Sequence, residues 1–160
     1  MFEKINYDAM HHIQVGQIGE YWTKLTLSLF QLDVYTTEVD NKGIDFIARV
    51  SSQKHIDIQV KTIRTAKTSY VFIPKEKEWS TENLRPTLYL ALVLLENYQI
   101  PKLYLIPSTA WLANTSPVLK DRNYGEDKKS KPEWGINISE KNLKLLEEFE
   151  PGRQVALINN

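Results

Sequence analysis

Three short segments hold the side chains best suited to chemistry. They are Glu20 in a helix-like stretch, Asp45 just after Gly43, and the triplet Gln59-Val60-Lys61 in a β-like run. A strand alternates its side chains between two faces. His55, Asp57, Gln59 and Lys61 therefore share one face, while Ile56, Ile58 and Val60 occupy the other. Asp45 alternates with Ile44 and Phe46, so pairing of the two strands brings its carboxylate to the side of Gln59 and Lys61. A carboxylate, an amide oxygen and an ammonium then converge at a sheet edge, and the helix adds a second carboxylate. Metal-assisted phosphodiester hydrolysis needs this donor set. A hard divalent cation takes oxygen ligands and keeps several waters, and a neighbouring lysine stabilises the charge that develops on the attacked phosphate. Asp57 is a candidate to supply further negative charge, although at the rise of a strand it lies about 7 Å from Gln59, too far to share a ligand position.

The elements that must position these groups are legible from periodicity. Ile18, Trp22, Leu25, Leu29 and Leu32 recur at steps of four and three, which predicts an amphipathic helix over residues 11–32. Gly16 and Gly19 weaken its propensity and mark a turn of backbone that is closely approached. Three β-like runs follow at 34–39, 44–50 and 56–63, separated by the turn signals Asp40-Asn41-Lys42-Gly43 and Ser51-Ser52-Gln53-Lys54, and connections this short imply an antiparallel meander. Further strands are expected at 69–73, 87–95 and 102–106, the second of them a nearly continuous apolar run of the buried type. Residues 114–132 read as loop, and a last helix starting at Ser139 is expected to stop at Pro151-Gly152. This order describes an α/β or α+β domain built around one sheet.

Composition narrows the functions this frame can carry. With 160 residues, 42% of them hydrophobic, the chain suits one core, and a single soluble domain is expected. Twenty basic residues balance twenty acidic ones, so any nucleic-acid contact must be concentrated locally. The absence of cysteine excludes disulfides, thiolate metal sites and thiol nucleophiles. No GxGxxG or GxxxxGK[ST] pattern occurs. Acidic residues near the N-terminus and the lack of a long apolar stretch lead to the expectation of a cytoplasmic protein with no membrane partner.

In the segments GQIGE (16–20), GIDF (43–46) and IQVKT (58–62), the chain resembles the PD-(D/E)XK nuclease superfamily. It is most similar to the branch with QXK in place of EXK, seen in Mrr-type restriction enzymes and small bacterial relatives. The resemblance covers residues 13–65 and implies a restriction-endonuclease-like single domain with a mixed β-sheet flanked by helices. It also implies a Mg²⁺- or Mn²⁺-dependent endonuclease acting on DNA. Asp45 and Gln59 would ligate the metal, Val60 would offer its backbone carbonyl, Lys61 would serve the attacking water, and Glu20 would hold a second metal or orient a water. Gln59 departs from the acidic pattern and removes one negative charge. An alternative is therefore a catalytically inactive relative that binds DNA or protein through the same fold. The resemblance leaves homodimer formation open.

Each of these residues also has a plainer role available. Glu20 suits a solvated helix face, Asp45 a turn, and Gln59 with Lys61 the wet side of an edge strand; it is their joint order and parity that favour a site. Between Arg49 and Lys77 seven basic residues face only Asp57 and Glu76, which makes Arg49, Arg64 and Lys67 the expected contacts to a DNA phosphate backbone. His11-His12 reads as a helix-start feature and Trp22 as core. Trp79, Trp111 and Trp134 fall in or near expected loops, where partner contact is open to them.

Overall fold

A computed structural model describes residues 1–36, 43–113, 116–124 and 129–159. Helix α1 (His12–Leu29) starts where His11 caps it: its imidazole accepts from the Ile13 N–H, and Gln14 accepts in return from the His11 N–H at 3.0 Å. The helix ends as Gln31 turns into the left-handed region at φ 65°, which sends Leu32 back into the core. Its buried line is Val15, Gly19, Thr23 and Leu27. The expected stripe is thus only half realised. Ile18 and Trp22 pack against the core, but Leu25 and Leu29 are 52% and 74% exposed. The helix turns small residues inward because it lies so close to the sheet. A Cβ on Gly19 would stand 1.7 Å from Thr62 Oγ1.

The main sheet is five-stranded and mixed, in the order β1 (Asp33–Thr36), β2 (Phe46–Arg49), β3 (His55–Arg64), β5 (Leu88–Leu95), β6 (Lys102–Pro107). The first three strands form the expected antiparallel meander, β3 and β5 run parallel, and β6 returns antiparallel. Residues 37–39 of the first expected strand, and Asp40, Asn41 and Lys42 of the turn after it, lie outside the described residues. All of β5 is buried. Tyr89, Ala91, Val93 and Leu95 join a core with α1 and α4 (Pro151–Asn159), and Leu88, Leu90, Leu92 and Leu94 join a second core on the opposite face. A strand covered on both faces has no polar positions, which is why its sequence reads as an unbroken apolar run.

A second, antiparallel sheet covers that opposite face, in the order β4 (Tyr70–Pro74), β8 (Glu133–Asn137), β7 (Leu119–Arg122). One of its strands corrects the sequence reading and another falls where that reading placed no element. β7 lies inside the segment expected to be loop, and β8 begins directly after Pro132. Leu119-Lys120-Asp121-Arg122 buries only its leucine, too little alternation to announce a strand. The tryptophans are corrected as well. Trp79, Trp111 and Trp134 are buried together, with Trp134 Nε1 donating to Trp79 O at 2.7 Å and Trp111 Nε1 to Gly135 O at 3.1 Å. They fasten the small sheet and the short helix α2 (Ala110–Ala113) to the main one and are closed to a partner. At the C-terminus, helix α3 (Glu140–Leu146) passes through a 3-10 turn, and Pro151 then opens α4 instead of ending a helix. Proline suits a first helical position because the N–H it lacks has no partner there. Among the described residues no helix is long and apolar enough to cross a membrane.

Candidate active site

The site is assembled where β2 separates from β3. Phe46 stands opposite Ile58, so one step further along the ladder brings Asp45 opposite Gln59. The Asp45 N–H still donates to Ile58 O at 2.8 Å, but its carboxylate Oδ2 accepts from the Val60 N–H at 2.5 Å. The side chain has taken the place of a backbone carbonyl, which satisfies the Val60 donor and pins the carboxylate at the sheet edge. Gly43, at φ 78°, makes the turn that leads into this edge. A Cβ there would meet Gln59 Nε2 at an ordinary 3.5 Å, so glycine is needed for its backbone angle and not for space.

Gln59 and Lys61 share the face predicted from alternation, while Ile56 and Ile58 are buried on the other and Val60 packs there beside α1. Gln59 Oε1 is buried and has no hydrogen-bond partner among the described residues. An amide oxygen in that condition costs about 1–3 kcal/mol of desolvation unless something binds it. Lys61 is half-buried and makes no hydrogen bond or ion pair among the described residues.

Asp57 has another task. Arg85 Nη2 donates to its Oδ2 at 2.6 Å, and Nη1 of the same guanidinium meets Glu78 at 2.8 Å. Burial pulls the Arg85 pKa down, but the hydrogen bonds and charges of Asp57 and Glu78 outweigh it and raise the value. The clamp holds the segment between β4 and β5 against β3, and it occupies the carboxylate nearest in sequence to Gln59 on the same face. Arg85 carried no signal in the sequence, because its partners are 28 residues before it and seven before it in turn and no period links them.

Glu20 approaches from the other side. Its helix docks through Gly19 on Thr62, a residue of the same face as Ile58 and Val60. Glu20 pairs with Lys24 at 3.9 Å, and the Lys24 ammonium lies 5.3 Å from the centre of the Phe46 ring. Glu20 therefore sits beside the start of β2, linked to the Asp45 edge through Lys24 and Phe46. The structure brings Asp45, Gln59 and Val60 together, sets Lys61 on the face of Gln59, and leaves Glu20 at the margin.

Comparison with known proteins finds no matching family model, no matching curated protein and no matching solved structure. The chemistry of the site must therefore be argued from its atoms. Among the described residues no three His, Cys, Asp or Glu side chains gather around a common point. The available donors are one carboxylate, one orphaned amide oxygen and main-chain carbonyls. Oxygen donors of this kind fit a hard divalent cation that keeps several of its waters, and they do not fit zinc or a softer metal.

The basic residues expected to meet phosphate are spread out. Arg49 stands opposite His55 and donates to Ser51 O at 3.0 Å, whereas Arg64 lies at the far end of β3, about 30 Å away at the rise of a strand. Arg64 Nη1 donates to Met10 O and Lys67 Nζ to Asp8 O, both at 2.9 Å. These two side chains strap the N-terminal segment across the ends of the strands. Lys54 is likewise turned to Ile158 O, and Lys75 to Asp121, Asn123 and the Trp134 ring. Most of the local cationic excess therefore has its head groups on the protein's own oxygens.

Proposed function

We propose that the chain is a Mg²⁺- or Mn²⁺-dependent DNA endonuclease with a restriction-endonuclease-like fold, its site formed by Asp45, Gln59, the Val60 carbonyl and Lys61. One observation carries the reading: the buried Gln59 amide oxygen has no partner among the described residues and stands across the ladder from the Asp45 carboxylate. Most buried side-chain polar atoms find a partner, so an amide oxygen left without one beside a carboxylate supports a bound ligand. The mixed sheet, with helix α1 packed over β3, supports the fold assignment.

A cation bound to Asp45 and Gln59 would supply a polarised phosphoryl oxygen and an acidified water. The chain's own contributions follow from its geometry. The Val60 N–H fixes the Asp45 carboxylate, so ligand orientation is set before binding. Lys61 offers a positive charge that no described residue neutralises, available to stabilise the oxyanion of attack. Gln59 contributes an oxygen without charge, so the site's affinity for the metal is modest and rises once a phosphate adds its own negative charge. Glu20, held by Lys24, is placed to orient a water at the margin.

The alternative, a silent DNA-binding or protein-interaction module on the same fold, is favoured by the engagement of Asp57 with Arg85, which leaves Gln59 without a second carboxylate. Plasmid nicking and DNA affinity, measured together on wild type and Lys61→Ala, separate the two. A nuclease loses rate far more than affinity in the variant. A silent module shows no metal-dependent nicking in either protein.

A further inference from the structure

The outer face of the small sheet combines aromatic and cationic side chains. Alternation turns Val71, Ile73, Leu119 and Ile136 into the core and leaves Tyr70, Phe72, Lys120, Arg122, Glu133 and Gly135 outside. Across the strands one row reads Phe72, Gly135, Lys120 and the next places Glu133 beside Arg122. The phenol end of Tyr70 covers the glycine of the first row. A Cβ on Gly135 would meet the Tyr70 hydroxyl at 1.9 Å and its Cζ at 2.6 Å. The Arg122 guanidinium sits 4.5 Å from the centre of the same ring. The carboxylate of Glu133 accepts hydrogen bonds from Tyr70 at 2.8 Å and Tyr124 at 3.2 Å. Phe72 stands next to this stack, 51% exposed.

We propose that this face binds single-stranded nucleic acid, stacking an unpaired base on Phe72 while Lys120 and Arg122 meet the flanking phosphates. Three features favour this partner over a protein surface. Among the described residues the face offers ring planes and cations but no branched aliphatic side chain. Lys120 and Arg122 stand there beside the single described carboxylate of Glu133, whose oxygen is already engaged by two phenol hydroxyls. Three strands also make a flat platform about 10 Å wide, suited to a base plane and not to a protruding side chain. A duplex hides its base faces, so the preference is for unpaired strands. The surface is separate from the metal site, and its binding needs no cation at Asp45.

The test uses the full chain and a labelled oligothymidylate in EDTA, followed by fluorescence anisotropy. Wild type should bind it more tightly than a duplex of the same length. Phe72→Ala should weaken binding about tenfold, while Phe72→Trp retains it. Lys120→Ala should lower the slope of log affinity against log salt by about 0.7. Because Phe72 is exposed, thermal melts of its variants should match wild type, and their Mn²⁺ binding should be unchanged. Binding by Phe72→Ala equal to wild type would overturn the proposal. So would a preference for duplex, or no binding of the oligonucleotide at low salt. None of these outcomes touches the endonuclease reading, which fails only on metal binding and nicking.

Discussion

Gly19→Ala offers a strict test of how helix α1 is docked beside the site. In a free helix this change is favourable by about 1 kcal/mol, because alanine loses less backbone entropy than glycine. At Gly19 the new methyl would stand 1.7 Å from Thr62 Oγ1, 2.9 Å from its Cβ and 3.1 Å from its Cγ2. Rotation of Thr62 relieves the first of these, but the Cβ distance yields only if the helix shifts. Overpacking of this kind costs about 1–3 kcal/mol, so the net effect runs from neutral to about 2 kcal/mol destabilising. Gly16 is the internal control. A Cβ there meets nothing within 4 Å, so Gly16→Ala should keep the whole helical gain. At about 2–4 °C per kcal/mol for a chain of this size, the two variants should melt several degrees apart. Thr62→Ala in the Gly19→Ala background removes the Oγ1 and Cγ2 contacts but leaves Cβ at 2.9 Å, so it should recover part of the loss, a coupling of about 0.5 kcal/mol or more. Urea and thermal melts of wild type, Gly16→Ala, Gly19→Ala, Thr62→Ala and the double variant measure all of this. If Gly19→Ala is as stable as Gly16→Ala, the close packing of α1 on β3 is wrong.

Arg85→Ala should destabilise the fold by about 1–2 kcal/mol in urea melts, since it leaves Asp57 and Glu78 unpaired at partly exposed positions. The same variant should leave Mn²⁺ affinity unchanged, and tighter binding would show that Asp57 competes for the metal. Burial and, after it, the hydrogen bond to Glu133 raise the Tyr70 pKa above its ordinary 10.0, so the folded state favours the neutral phenol. The resulting stability is complete below pH 10 and drains away as pH rises further, because the unfolded chain ionises first. Tyr70→Phe should therefore flatten the alkaline fall in the urea midpoint, and an unchanged slope would place that dependence on other groups.

The parts of the fold that could be read from sequence are those in which one face of an element is buried and the other wet. The meander announced itself because Ile56 and Ile58 alternate with Asp57 and Gln59, and β5 because both its faces are covered. Where tertiary contact overrode local pattern, the sequence misled. Leu25 and Leu29 look like core residues, but the close approach at Gly19 gave the inward face to small side chains. Pro151 reads as a terminator until the turn before it frees the chain to begin a new helix. β7 has one buried residue in four, and the tryptophans near apparent loops are buried by a small sheet of which only the first strand, β4, was legible.

The candidate site divides in the same way. Strand parity was enough to set Gln59 and Lys61 on one face and Asp45 on the same side; the register that puts Asp45 opposite Gln59 comes from the pairing itself. What alternation cannot report is where a long side chain ends. Arg85 reaches Asp57 from a distant loop, and Arg64 and Lys67 turn to carbonyls of the N-terminal segment when a charge count alone would assign them to phosphate. The second Asp45 contact, to the Val60 N–H, depends on β2 leaving β3 at that residue, a detail of pairing that composition does not encode.

The most direct test is Mn²⁺ titration by calorimetry on wild type, Asp45→Asn and Gln59→Glu at one pH. Asp45→Asn keeps an acceptor for the Val60 N–H while removing the charge, so the fold should survive and metal binding should be lost. Gln59→Glu restores a negative charge at the orphaned oxygen and should tighten binding about tenfold or more, an electrostatic gain of about 1.4 kcal/mol. Identical isotherms for wild type and Gln59→Glu, or undiminished binding by Asp45→Asn, would contradict a metal site at this sheet edge.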